Sequence, residues 1–163
     1  MSASLRDEHR WNKLSQSMSH FHNHFKFEFD QIYELADGSF TKRGLSLGLY
    51  LRQAETLKKQ LTTHHTIEEM YIFPILAKRM PSFKEDEAHL KSHQRIHEGL
   101  DKLGELIHEW KTSPSTYSPE KMRECLDSWR EVLFNHLDEE VEDLKPDNLK
   151  KYWKPEELDE IPI

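Results

Sequence analysis

His64-His65-Thr66-Ile67-Glu68-Glu69-Met70-Tyr71-Ile72-Phe73-Pro74 and His136-Leu137-Asp138-Glu139-Glu140-Val141-Glu142-Asp143-Leu144-Lys145-Pro146 share one spacing: a His, a Glu four residues on, and a Pro six residues after that Glu. Residues four apart lie one turn above each other on the same side of an α-helix. Each segment therefore turns an imidazole and a carboxylate in one direction, as a pair of metal ligands would be. Apolar residues at helical spacing lead up to each His: Leu57 and Leu61 in the first segment, Trp129 and Leu133 in the second. A His and a Glu that continue an apolar stripe face the interior. An unpaired buried carboxylate costs on the order of several kcal/mol. A chain built this way must either turn the stripe to water, as a solvated face of i, i+4 pairs, or take cations into its core.

The remaining periodicity supplies four helices. Met18, His22, Phe25, Phe29, Ile32 and Ala36 step by three or four and predict a first helix from about 17 to 36, ended by Asp37-Gly38-Ser39. Residues 1 to about 15 read as an N-terminal arm, with Trp11 and Leu14 able to pack back. Ser46 is a candidate N-cap for a second helix whose stripe runs Leu47, Tyr50, Ala54, Leu57, Leu61, His64, Glu68, Tyr71, Ile75. Pro74 should kink that helix or bring it to its end. Ser82-Phe83-Lys84-Glu85 reads as a capping box before a third helix bearing Leu90, His93, His97, Leu100 and Ile107. Ser118-Pro119 starts a fourth, which carries Leu126, Trp129, Leu133, His136, Glu140 and Leu144 up to Pro146. The tail, through Trp153 to Ile161-Pro162-Ile163, is apolar enough to fold back across the rest. The fold class expected is all-α: an up-down-up-down four-helix bundle with an N-terminal arm and a C-terminal tail. It forms a single domain over 1–163 with its core at about 17–146.

Composition agrees and excludes several functions. Glycine numbers only five, and helix formers outweigh β-branched residues. A net charge of −7 argues against nucleic acid as a partner. No apolar run is long enough to span a membrane, and the N-terminus lacks the apolar core of a signal peptide. The single Cys125 cannot form an internal disulfide and suits a reducing compartment, the cytosol.

The chain has eleven His, and those on the stripes are not scattered. In the first and third helices they fall near the start, as His22, His93 and His97. In the second and fourth they fall near the end, as His64 and His136. Antiparallel neighbours bring a start beside an end, so all five can meet at one level together with Glu68 and Glu140. Five imidazoles and two carboxylates exceed one four-coordinate zinc and suit two octahedral ions bridged by carboxylates.

On these residues the chain resembles the hemerythrin family, in the broad form of hemerythrin-like HHE cation-binding domains. The resemblance covers roughly Met18 to Pro146. It rests on His64-His65-Thr66-Ile67-Glu68-Glu69 followed by Ile72-Phe73-Pro74, on Ser92-His93-Gln94-Arg95-Ile96-His97, and on the His136 to Pro146 segment. It implies a four-helix bundle holding two non-haem iron ions that bind or react with dioxygen. It further implies His22, His64, Glu68, His93, His97, His136 and Glu140 as ligands, with Glu68 and Glu140 bridging. Oxygen-carrying members place an Asp five residues after the last His. Here that position is Val141 and Glu140 must serve, which puts the chain with the functionally varied HHE branch.

Some alternatives stay open at this level. His65 and Glu69 have the same spacing as His64 and Glu68. His20 or His24 could replace His22, and His89 could replace His97. Ferritin-like sites need two Glu-x-x-His motifs, and only Glu105 to His108 fits. The function expected is binding of dioxygen or a similar small ligand in sensing, storage or detoxification. The rival is a diiron oxidase or oxygenase, which needs a pocket beside the metals larger than dioxygen requires. A third reading is a structural bundle with zinc or no metal. Oligomeric state is not encoded in any of these features.

Overall fold

In a computed structural model, which describes residues 2–84 and 88–163, the chain is largely helical, with no strand among the described residues. Helix α1 (Ser2–Leu35) is followed by α2 (Leu47–Ile67), a π-helical turn (Glu68–Ile72) and the short α3 (Phe73–Leu76). Then come α4 (Ala88–Thr112), α5 (Pro119–Asp143) and the short α6 (Pro146–Leu149). Helix α1 packs on α2, α2 on α4, α4 on α5, and α5 back on α1, which closes the four long helices into a ring. No helix is long and apolar enough to cross a membrane among the described residues.

The ends of the helices follow their local chemistry. Gly38 has φ 98° and Gly44 φ 76°, left-handed values that a side chain would resist, and they bracket the short turn Ser39–Arg43 between α1 and α2. Ser46 Oγ accepts from the Leu49 amide and Ser118 Oγ from the Lys121 amide, each at 3.2 Å. Each such cap is worth about 1 kcal/mol. The expected capping box at Ser82 depends on Glu85, which lies outside the described residues.

Residues 2–15, expected as an arm, are helical and continuous with α1. Trp11, Leu14 and Met18 extend the α1 stripe by three and four residues, and Leu14 and Met18 are fully buried. They are covered by the C-terminal segment, where Leu149, Trp153, Leu158 and Ile161 are also buried. Arg10 pairs with Asp159 at 2.9 Å, and the Arg79 guanidinium lies 4.7 Å over the Trp153 ring while bonding to Glu157.

The interior is divided. One apolar cluster runs from Phe25 through Leu61, Ile96 and Leu137 towards Trp110. A second gathers Leu14, Met18, Ile72, Phe73, Leu144 and the C-terminal segment. Between them, at the level of His22, His65, Glu68, His93, His136 and Glu140, lies a layer of buried polar side chains.

The turn after Glu68 sets the lower boundary of that layer. The Phe73 amide donates to the Glu68 carbonyl, a π-type bond five residues back. Pro74 has no amide to give and its ring would clash with the carbonyl of Met70 in a continuous α-helix. The one-residue insertion relieves that conflict and rotates the following face. Tyr71 and Ile75 were expected on the core stripe. Instead Tyr71 is exposed and Ile75 half-buried, while Ile72, Phe73 and Leu76 point inward.

Candidate metal centre

Eight His and Glu residues face this layer from four helices, and they fall into overlapping groups. In one, ligand atoms of His22, His64, Glu68 and Glu140 all lie within 4.8 Å of each other. In a second, His89, His136 and Glu140 do so. His65, His93 and His136 make a third. Glu140 is common to the first two, so two cation positions can share its carboxylate. His93 Nε2 stands 3.9 Å from an oxygen of Glu68 and from one of Glu140.

The hydrogen bonds on the far sides of the rings fix which nitrogen faces the layer. His22 Nδ1 donates to the Leu137 carbonyl at 2.8 Å, so the lone pair of its neutral ring is on Nε2, 3.7 Å from Glu140. His93 Nδ1 donates to Glu69 at 3.0 Å, leaving Nε2 to meet His136 Nε2 at 2.9 Å. His89 Nε2 donates to Asp143 at 2.6 Å, leaving Nδ1 buried and unpartnered. An outer carbonyl or carboxylate on the second ring nitrogen is the habitual support of a metal-bound His. Glu69 and Asp143 take that part here.

The inward atoms are unsatisfied. His64 Nε2 lies 2.5 Å from Glu68 Oε1 and His136 Nε2 lies 2.9 Å from Glu140 Oε2, yet both oxygens of both carboxylates lack a hydrogen bond of sound geometry. His22 Nε2, His64 Nε2 and both nitrogens of His65 are in the same condition. Leaving so many buried polar atoms unpaired would cost several kcal/mol or more. Shared cations remove that penalty, and the donor set of imidazole and carboxylate fits them.

Charge in the metal-free layer is arranged for the same exchange. Burial, and then the neighbouring Glu140 charge, hold the Glu68 pKa well above the ordinary carboxylate range. Burial opposes the charge on Glu140 too, but the Glu68 carboxyl and the His136 and His93 rings beside it outweigh burial and hold that pKa well down. The pair thus keeps one proton between two acids. Burial lowers His64 to about 4 and also lowers His22, His65 and His136, so their lone pairs are free at neutral pH. His93 differs: burial is outweighed by the nearby Glu140 carboxylate and the bond to Glu69, and its pKa rises. A cation entering there must displace a proton.

The structure brings six of the expected residues together: His22, His64, Glu68, His93, His136 and Glu140. His97 stands apart, half-buried, its ring 5.6 Å from that of His65, and it joins none of the three groups among the described residues. His89, four residues before His93, occupies the place expected of it. His20 and His24 are exposed. His65 also turns inward, stacked on His93 at 3.8 Å, while Glu69, four residues on, reaches His93 from the rim. The roles of Glu69 and Asp143 were not read from the sequence. Asp143 lies seven residues after His136, on the same face of α5, and that spacing was the available signal.

A cavity of about 860 Å³ opens onto the layer between α1 and α2, with His64 and Glu68 in its wall.

Comparison with known proteins agrees with this geometry. Residues 13–147 match the family model described as the hemerythrin HHE cation binding domain. Among curated proteins, the chain is 32% identical over 128 residues to the Dimeric xanthone biosynthesis cluster protein R11 of Cryptosporiopsis sp. (strain 8999). The match covers 78% of this chain and 47% of that protein, so the chain spans about half the length of this relative. No solved structure matches the chain.

Proposed function

Because the chain belongs to the hemerythrin HHE cation-binding domain family, we propose that it is a non-haem diiron protein that binds dioxygen or a related small ligand. The observation that carries this reading is the sharing of Glu140 between the His22, His64, Glu68 group and the His89, His136 group. Two adjacent cation positions with a common carboxylate are what a bridged pair of ions needs, and mixed imidazole and carboxylate ligation suits iron. Iron held there would supply electrons for reversible reaction with dioxygen. The chain's own residues prepare the site. Leu137, Glu69 and Asp143 hold the His22, His93 and His89 rings in one tautomer each. Glu68 and Glu140 would neutralise part of the cationic charge, and apolar clusters bound the layer above and below, leaving the cavity between α1 and α2 as its approach. The reading places the whole of residues 1–163 in a single domain working in the cytosol, where the lone, buried Cys125 stays reduced.

Elemental analysis of protein made with iron tests the reading. Two irons per chain, with a visible absorption that develops under oxygen and fades on its removal, are expected. Zinc alone, or no metal, would overturn it.

One observation favours a second reading, a diiron oxidase or oxygenase acting on a small organic substrate. The cavity beside His64 and Glu68 is far larger than dioxygen requires, and the relative is named for a biosynthesis cluster. Oxygen consumption coupled to one organic substrate, and lost in His64→Ala, would establish that reading over simple binding.

A further inference from the structure

The cavity against α2 has two unlike walls. Helix α1 lines it with Met18, Phe21 and Phe25, an apolar strip at helical spacing, and with His24, whose Nε2 lies 3.3 Å from Gln60 Oε1 across the cavity. Helix α2 lines it with Thr56, Lys59, Gln60 and Thr63, a polar strip at i, i+3, i+4 and i+7. The far end is closed by Ile72, Pro162 and Ile163. The rings of Phe21 and Phe25 stand 5.7 and 5.1 Å from the ring of His64, so the apolar wall runs directly onto the polar layer. Phe21 is 47% exposed and Ile67 44%, large apolar surfaces left open at the mouth. The volume, about 860 Å³, lies within the range of small-molecule sites and is many times that of a diatomic gas.

We propose that this cavity binds a small aromatic anion, a fused-ring system bearing one carboxylate or phenolate, with its ring edge beside His64 and Glu68 and its charge at Lys59. The inference rests on the metal reading above, because ions in the layer neutralise Glu68 and leave both ends of the cavity electropositive. Lys59 and His64 are five residues apart, about 7.5 Å along the helix. That is the span of a carboxylated bicyclic ring. The Phe21 and Phe25 faces favour a flat ring over an alkyl chain, because aromatic pairs gain from offset and edge-to-face contact. Thr56 and Thr63, with the paired Gln60 and His24, line the other edge of the ring.

The test uses 2-naphthoate on the iron-loaded full chain, with naphthalene and decanoate as comparators, followed by calorimetry. Saturable binding of 2-naphthoate, tighter than that of either comparator, is expected. Lys59→Gln should weaken naphthoate at least fivefold and leave naphthalene unchanged. Ile67→Trp, which fills the mouth, should abolish binding of all three, with thermal melting run alongside to show that it folds. Ring protons of bound naphthoate should relax faster in the iron-loaded chain than in the zinc-loaded chain. No saturable binding, decanoate binding more tightly than naphthoate, indifference to Lys59→Gln, or no iron-dependent relaxation would each overturn the proposal. Metal content is measured on every sample, so failure of the iron reading registers there, separately from any result with naphthoate.

Discussion

Carboxylate oxygens of Glu68, where α2 ends, and of Glu140, on α5, lie within 4.8 Å of each other, and neither side chain reaches solvent. Two like charges so placed cannot both persist without a cation, and the pair holds one proton, with the pKa raised on Glu68 and depressed on Glu140. Glu140→Gln should therefore divide metal binding from stability. Tightly bound iron is expected to fall from two ions per chain to one or none. The melting point of the metal-free chain is expected to hold or rise, because the buried acid pair is gone. Elemental analysis and calorimetric melting check the two halves.

The third-helix ligands can be separated by substitution. His89→Ala should cost iron, since His89 shares a group with His136 and Glu140 and is held by Asp143. His97→Ala should leave the iron content unchanged. Equal losses in both variants, read by iron per chain, would count against the assignment of His89.

The pH response of the metal-free chain follows from His64. Its folded pKa is about 4 against 6.5 for the free side chain. Above pH 6.5 the ring is neutral in both states and contributes nothing. As the pH falls from 6.5 to 4 the unfolded chain takes up a proton that the folded chain refuses, so stability is lost across that window and levels off below it. The stability difference between the natural chain and His64→Gln should shrink by on the order of 3 kcal/mol from pH 7 to pH 4. Denaturant titrations at intervals across that range read it.

At Gly99, α4 approaches α5 closely. A Cβ built there would lie 2.3 Å from Cγ of Trp129, which is itself buried. Overpacking of this kind typically costs about 1–3 kcal/mol, and the better helix propensity of alanine returns only about 1. Gly99→Ala should destabilise the chain by about 2 kcal/mol. Adding Trp129→Leu should make the two losses less than additive, which urea unfolding of the four variants would measure.

Much of this architecture is legible in the chain itself. The four stripes, the Ser46 and Ser118 caps and the common level of His22, His64, His93 and His136 all follow from spacing and rise per residue. Three features are not legible, each for a physical reason. His89-x3-His93 and His93-x3-His97 have the same spacing, and only the rotation and height of α4 against α5 separate them. Pro74 announces a break but not that it is absorbed as a π turn, which moves Tyr71 outward and Ile72 inward. The helical start of α1 is read weakly because the partner that buries Leu14 and Met18 is the C-terminal segment, more than a hundred residues away.

That last packing arrangement bears on how the protein is made. Leu149, Trp153, Leu158 and Ile161 leave the ribosome after all four long helices, yet they seal the floor beneath the His and Glu layer. Until they dock, the lower rim of that layer stands open to water and to whatever ions the surroundings offer. A cation that reaches the layer before this docking can enter from below, through a face that the segment at Leu149–Ile161 then covers.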